Sequence, residues 1–277
     1  MQNREFSDAT YRDFCQFLEK NCGIVLGDSK QYLVRSRLFP FIEEFNLKDL
    51  TTVLQTAIRG SNRQLQNKVI DAMTTNETLW FRDNYPYELL AKEILPKLDA
   101  LNKPITVWSA ACSSGQEPYS IAICYKEYKE KYPNGFRHGF KIIATDLSSE
   151  MLANCKEGSY DDHALARGMN KIRLDKFFHV NGKGKHQVND DLKQLISFQP
   201  LNLMHSYQSL GKFDVVFCRN VLIYFSTDVK RKILQQIADR MTPDSILFLG
   251  ASESVSFTEN LFTMVKASPG LYYQVSK

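Results

Sequence analysis

The chain has 277 residues, 43% of them hydrophobic and 24% charged, with a formal net charge of +4. These proportions suit a soluble globular protein whose core needs no disulfides. They exclude a membrane span, because no run approaches the roughly 18 apolar residues that one needs, and the charge is too mild to argue for nucleic acid. The first residues, MQNREFSDATYRDF, lack a secretory apolar region, and the cysteines (Cys15, Cys22, Cys112, Cys124, Cys155, Cys218) form no C-x-x-C pair. Reduced thiols in a cytoplasmic protein are therefore expected. The histidines show no H-x-H or H-E-x-x-H spacing, so no metal is expected.

The first seventy or so residues read as helices only. Ser7 or Asp8 can cap ATYRDFCQFLEKNCG, in which Phe14, Phe17 and Leu18 share a face and Gly23 supplies a stop. A second helix fits KQYLVRSRLF and ends near Pro40; DLTTVLQTAIRG and SNRQLQNKVIDAM each follow a capping residue. No strand signal appears before residue 100. TTNETLWFRD (Thr74 to Asp83) fits neither period and lies where a linker would.

The pattern then alternates. PITVWSAA, KIIATDL (141–147), QLISFQPL (194–201), FDVVFCRN (213–220) and SILFLGAS (245–252) are compact β-rich runs. EPYSIAICYKEYKEKY, SSEMLANCKEG and STDVKRKILQQIADRM read as helices between them. Such alternation predicts an α/β domain with a parallel sheet covered on both faces. LFTMVKASPGLYYQVSK predicts a closing hairpin that adds an antiparallel strand. DKFFHVNGKGKHQVND breaks the alternation and reads as a glycine-turned hairpin inserted before the third strand.

Three strand ends carry residues suited to chemistry. SAACSSGQEPYS follows the first strand, and its small residues (Ala110, Ala111, Ser113, Ser114, Gly115) allow a ligand close to the backbone where open α/β sheets bind ligands. An ordinary βα turn has the same composition. G-x-G-x-x-G and the P-loop Lys-Ser/Thr are absent, which argues against NAD and ATP. Asp146 ends the second strand, placed to accept both hydroxyls of a ribose or simply to cap the next helix, a task open to Ser148. Arg219 and Asn220 end the fourth strand, with Tyr224 one helical turn on; singly, they would be a loop-pinning pair and a core tyrosine.

Together TTNETLWFRD, WSAACSSGQEPYS, IIATDLSSEML, GSY, FQPLNL, FDVVFCRNVLIYF and LFLGASES resemble the CheR-type chemotaxis receptor methyltransferases, in the family's order and over nearly the whole chain. The resemblance implies a Rossmann-like S-adenosylmethionine-dependent domain at 74–277 with a β-hairpin subdomain at about 170–193, preceded by a small all-α domain at 1–73. It implies methyl transfer from S-adenosylmethionine to glutamates of chemoreceptors, giving glutamyl methyl esters and S-adenosylhomocysteine in sensory adaptation. By that likeness Asn76, Thr78, Arg82, Glu117, Asp146, Asn202, Leu203, Arg219 and Asn220 bind the cofactor: Asp146 at the ribose, Asn202 and Leu203 near the adenine, Arg219 and Asn220 at the pocket rim. Arg82 and Tyr224 stand closest to the transferred methyl. Gln116 departs from the family, where a second Glu is often found.

The resemblance also implies that the second helix, with Lys30, Arg35 and Arg37, meets the acidic helical region of the receptor; Lys30 and Arg37, seven apart, would share a face. A solvated surface is the competing reading. The inserted hairpin is similar to a subdomain that some family members use to dock a receptor's C-terminal peptide by strand addition. A monomer without nucleic-acid or membrane partners is expected. A base methyltransferase on the same fold often carries N/D-P-P-Y after the fourth strand, which RNVLIY is not, and Cys218 reads as core rather than nucleophile.

Overall fold

Ser7 opens the first helix, its hydroxyl accepting the Thr10 N–H at 3.1 Å. In the computed structural model, which describes residues 5–258 and 260–276, α1 (Asp8–Cys22) runs from that cap to Gly23. Helices α2 (Gln31–Leu38), α3 (Pro40–Glu44), α4 (Leu50–Arg59) and α5 (Arg63–Met73) follow. Asp49 and Asn62 cap α4 and α5 through their side-chain oxygens, at 2.8 Å to Thr52 N and 3.0 Å to Leu65 N. Pro40 does more than end a helix. It occupies the first turn of α3, where a missing N–H costs nothing. Phe14, Leu18, Val34, Leu38, Leu50, Leu54, Leu65 and Val69 are fully buried, each contributing about 1.5–3 kcal/mol of transfer free energy.

These helices form one of two compact units, which also gathers Asn202–Met204 and Tyr224–Val229. Gly23 shows why. It takes a left-handed φ of 75°, and a β-carbon there would lie 2.6 Å from the Phe225 ring and 2.9 Å from the Met204 sulfur. Asn202 Nδ2 donates to the Asn21 carbonyl at 2.7 Å, and Val25 N–H donates to the Tyr224 carbonyl at 3.0 Å.

The second unit opens with α6 (Tyr85–Leu89), which passes through a π-helical turn at Leu90–Ile94 into α7 (Leu95–Asp99). The alternation follows as β1 (Ile105–Ala110), α8 (Gln116–Lys131), β2 (Phe140–Asp146) and α9 (Ser149–Glu157). Then come β3 (Ser159–Tyr160), α10 (Asp162–Ala166), α11 (Lys171–Phe177), β4 (Phe178–Val180), β5 (His186–Val188) and α12 (Asp190–Lys193). The unit closes with β6 (Ile196–Pro200), β7 (Phe213–Cys218), α13 (Thr227–Arg240), β8 (Met241–Leu249), β9 (Phe262–Lys266) and β10 (Leu271–Val275).

Among the described residues the main sheet has seven strands in the order β6-β2-β1-β7-β8-β10-β9. β6, β2, β1, β7 and β8 are parallel, while β10 runs antiparallel to both β8 and β9. From β1 the chain winds outward to β2 and β6, then returns to β7 on the other side. The topological switch point therefore lies between β1 and β7, where such sheets bind ligands at the carboxyl ends. The centre is dry: Val107, Trp108, Phe217 and Phe248 are fully buried, and the Trp108 indole N–H donates to Thr145 Oγ1 at 2.9 Å.

The inserted element is more than a hairpin. A second antiparallel sheet has the order β3-β5-β4, with Ser159 and Tyr160 supplying a third strand too short to leave a pattern in the sequence. The α6–α7 segment was likewise invisible to periodicity, because Pro86 and Pro96 interrupt an apolar stretch that is nevertheless helical.

Candidate active site

The loop after β1 bends through Ala111, Ser113 and Gly115 at φ of 60°, 50° and 97°. Left-handed backbone at two non-glycine residues costs energy and needs a restraint. Asp146 at the end of β2 supplies it. Its Oδ2 accepts Ser113 N–H at 2.7 Å, and its Oδ1 accepts Ser148 N–H at 2.9 Å. Ser148 itself caps α9, its hydroxyl accepting Met151 N–H at 3.3 Å, so Asp146 is not the helix cap. Burial pushes the Asp146 carboxyl above the usual range, opposed by the N–H groups of Ser148, Ser113 and Leu147. With about four lone-pair sites, the carboxylate retains room for a further donor beside these N–H groups.

A buried charge network lies at the ends of β1 and β7. Arg219 reaches Glu117 Oε2 at 3.2 Å, Asp83 Oδ2 at 2.7 Å and the Arg82 carbonyl at 2.9 Å. The Ser109 hydroxyl donates to the other Glu117 oxygen at 2.8 Å. Burial raises the Glu117 carboxyl, against the pull of Arg219 and the Ser109 hydrogen bond. Burial alone would lower Arg219, but Tyr87, Glu117 and Asp83 hold it above the ordinary arginine value. Arg219, expected at the pocket rim, has 1% of its side chain exposed and is paired with Glu117 on α8. Two atoms here are buried without a hydrogen-bond partner among the described residues: Arg219 Nε and Asn220 Oδ1.

The stretch from Asn76 to Asp83 packs against this network. The Ser113 hydroxyl donates to the Asn76 carbonyl at 2.8 Å, and Phe81 N–H donates to the Ser120 hydroxyl at 3.1 Å. Trp80 and Phe81 are buried, with the Trp80 ring edge-on to Tyr160 at 4.9 Å and Phe178 at 5.4 Å. Arg82 is half-buried and donates to the Glu77 carbonyl at 3.1 Å, while the Glu77 carboxylate pairs with Arg167. Phe81, Asp83 and Asn84 all have positive φ, so the backbone is strained where Arg82 is presented.

Asn76, Thr78, Arg82, Glu117, Asp146, Arg219 and Asn220 thus belong to the sheet unit. Asn202, Leu203 and Tyr224 are grouped with the helical unit, where the Asn202 side chain also accepts Met204 N–H at 2.9 Å. In that unit Lys30 ends a 3-10 turn before α2 rather than sharing a helical face with Arg37. Arg37 donates to the Ala72, Met73 and Thr74 carbonyls at 3.3, 3.0 and 2.8 Å, closing the C-terminus of α5. Arg35 lies 4.8 Å from the Phe6 ring centroid, bonds Gln31 and approaches Glu5 at 3.5 Å. Of the three cations, Lys30 is the exposed one.

The sequence reading missed Asp83, Ser113 as a partner of Asp146, and Glu253. The Glu253 carboxylate accepts the N–H groups of Asn220, Leu222 and Gly250; its place three residues beyond a strand-end glycine was the available signal. Among the described residues no group of three His, Cys, Asp or Glu side chains is poised to hold a metal ion, and no helix is long and apolar enough to cross a membrane.

Comparison with known proteins matches residues 9–74 to the family described as CheR methyltransferase, all-alpha domain. Residues 76–271 match the family described as CheR methyltransferase, SAM binding domain. The chain is 52% identical over 269 residues to chemotaxis protein methyltransferase 1 of Vibrio cholerae serotype O1, covering 97% of this chain and 98% of that one. It is 52% identical, with the same coverage, to the chemotaxis protein methyltransferase of Vibrio anguillarum. Identity to chemotaxis protein methyltransferase 1 of Pseudomonas aeruginosa is 47% over 270 residues, again 97% of this chain and 98% of the relative.

Proposed function

The chain belongs to the CheR methyltransferase family, and from that premise we propose how its side chains divide the work of methyl transfer. The protein is an S-adenosylmethionine-dependent protein-glutamate O-methyltransferase, which methylates chemoreceptors in chemotactic adaptation. The observation that carries the residue assignment is the switch point between β1 and β7. An unpartnered buried acceptor there, Asn220 Oδ1, and an acceptor-rich carboxylate at the end of neighbouring β2, Asp146, suit a ligand bringing hydroxyl and ammonium donors.

Bound S-adenosylmethionine supplies an electrophilic methyl on a sulfonium. In our reading Asp146 takes the ribose hydroxyls, Asn202 and Leu203 flank the adenine, and Asn76 and Thr78 line the pocket. Arg82 clamps a carboxylate, that of the methionine part or of the incoming glutamate, for which its planar fork is suited. Glu117 adds negative charge near the ammonium, and Arg219 keeps Glu117 in place from behind. The Tyr224 hydroxyl orients the substrate oxygen. A glutamate with a pKa of about 4.3 is already ionised at neutral pH, so no general base is required. What the site must do is align donor and acceptor and strip water from the carboxylate.

Its partner is the helical cytoplasmic region of a methyl-accepting chemoreceptor, met by the helical unit with Lys30 as its exposed cation; the enzyme acts as a cytoplasmic monomer. The small β3-β5-β4 sheet serves as a peptide-docking edge for receptors that carry a tether. The test is transfer of labelled methyl from S-adenosylmethionine to receptor-bearing membranes, with release of the label by mild base. Labelled, base-labile receptor is expected. Base-stable label, or label in nucleic acid, would overturn the glutamyl ester assignment.

A further inference from the structure

We infer that Glu253 is a positioning residue for cofactor binding that acts through Asn220, an inference resting on the methyltransferase reading above. Glu253 lies in the loop after β8, and its carboxylate gathers three backbone N–H groups from two strand ends. Oε2 accepts Asn220 N–H at 2.8 Å and Gly250 N–H at 2.7 Å, while Oε1 accepts Leu222 N–H at 2.7 Å. Such charge-assisted bonds are the strong ones, and three on one carboxylate tie the loop after β7 to the loop after β8.

What they hold is an unfavourable conformation. Asn220 has a left-handed φ of 57°, a region asparagine tolerates better than most L-residues but adopts at a cost relative to glycine. The turn presents the Asn220 amide at the carboxyl end of β7, beside β1, with Oδ1 buried and without a partner. Gly250 seals the arrangement from the other side: a β-carbon there would stand 2.7 Å from Glu253 Oε2, 2.8 Å from Asn220 Nδ2 and 2.9 Å from Asn220 N. Backbone bonds from Glu253 and the bare α-carbon of Gly250 therefore fix where the amide sits. A buried acceptor left open in a strained, over-restrained turn is set up for a donor on a ligand. Both Glu253 oxygens are engaged by backbone N–H groups, so it acts through the placement of Asn220 and governs cofactor affinity rather than the chemical step.

The experiment compares Glu253→Gln, Asn220→Gly, the double variant and Gly250→Ala in the full chain. S-adenosylhomocysteine binding is measured by calorimetry, KM and kcat with labelled S-adenosylmethionine, and folding by thermal melting. Glycine tolerates positive φ, so Asn220→Gly removes the amide without adding backbone strain. Glu253→Gln is expected to weaken binding about tenfold and raise KM alike, with kcat within about twofold, the size of one lost polar contact. In the Asn220→Gly background it is expected to add no further loss, because the two act in series. If Glu253→Gln does not fold, Gly250→Ala, whose methyl presses on both the Glu253 carboxylate and the Asn220 amide, carries the same expectation. Wild-type affinity in folded Glu253→Gln, or losses that multiply in the double variant, would overturn the inference. Failure of the wild-type chain to bind S-adenosylhomocysteine would instead strike the underlying methyltransferase reading.

Discussion

The two units treat polar groups differently. In the helical unit they stay at helix ends: Ser7, Asp49 and Asn62 cap N-termini, and Arg37 closes the last turn of α5, while the centre is leucine, valine and phenylalanine. In the sheet unit ionised side chains go inside, with Glu117, Asp146 and Arg219 each less than a tenth exposed. Burying charge is costly unless every partner is in place, and an apolar replacement of similar volume is often no less stable. Stability alone therefore does not explain the second arrangement. The charges cluster at the ends of β1, β2 and β7, where they fix loops held in strained backbone, and that is the mark of a site built for a ligand.

The contrast is broken most forcefully at Arg219. Arg219→Met strands Glu117 in an apolar surround and should destabilise the chain by about 3–5 kcal/mol in urea unfolding, with Glu117→Gln added to it recovering part of the loss. If Arg219→Met is neutral, the network is not what holds the strand ends together. Next in size is Arg82→Ala, whose side chain is half-buried and makes one hydrogen bond to a backbone carbonyl. Turnover should fall about 100-fold, with Tyr224→Phe nearer tenfold, while unfolding midpoints stay close to wild type. A smaller effect is expected from Arg37→Ala, about 1–2 kcal/mol of stability lost with kcat unchanged, since charged bonds to carbonyls of α5 disappear.

The finest probe is pH. Burial raises Asp146 and Glu117 in the folded state, so between the ordinary carboxylate range and their folded values the native chain holds more protons than the unfolded one. Their contribution is fully present below the unfolded value and lost as pH rises through the folded one, so stability falls across that window. Asp146→Asn should flatten this fall when denaturant midpoints are plotted against pH, whereas Arg37→Ala should leave its shape unchanged.

Much of the fold was legible because its signals are local. Ser7, Asp49 and Asn62 announce helix starts, Gly23 a stop, and β1, β2, β7 and β8 are compact β-rich runs with an apolar centre. Asp146 stood out by ending a strand. What stayed hidden depends on partners far away in sequence. Arg219 reads as a loop-pinning or pocket-rim residue, and its partner Glu117, 102 residues earlier, is not visible from that stretch. Arg37 looks like a receptor contact until the end of α5 arrives to take its guanidinium. Ser159 and Tyr160 make a strand only because β5 is there to pair with them. The position of Glu253 hints at Gly250 alone; its other two N–H partners come from the loop after β7.

The corner at Gly23 has a consequence for how the chain is made. Helices α1 to α5 leave the ribosome before the sheet, yet the sulfur of Met204 and the ring of Phe225 that cover Gly23 are translated only after β6 and after β7, respectively. The Asn21 carbonyl likewise waits for Asn202, and the Val25 N–H for Tyr224. During synthesis these helices therefore emerge with one corner unsealed, which closes only once the chain has passed β7.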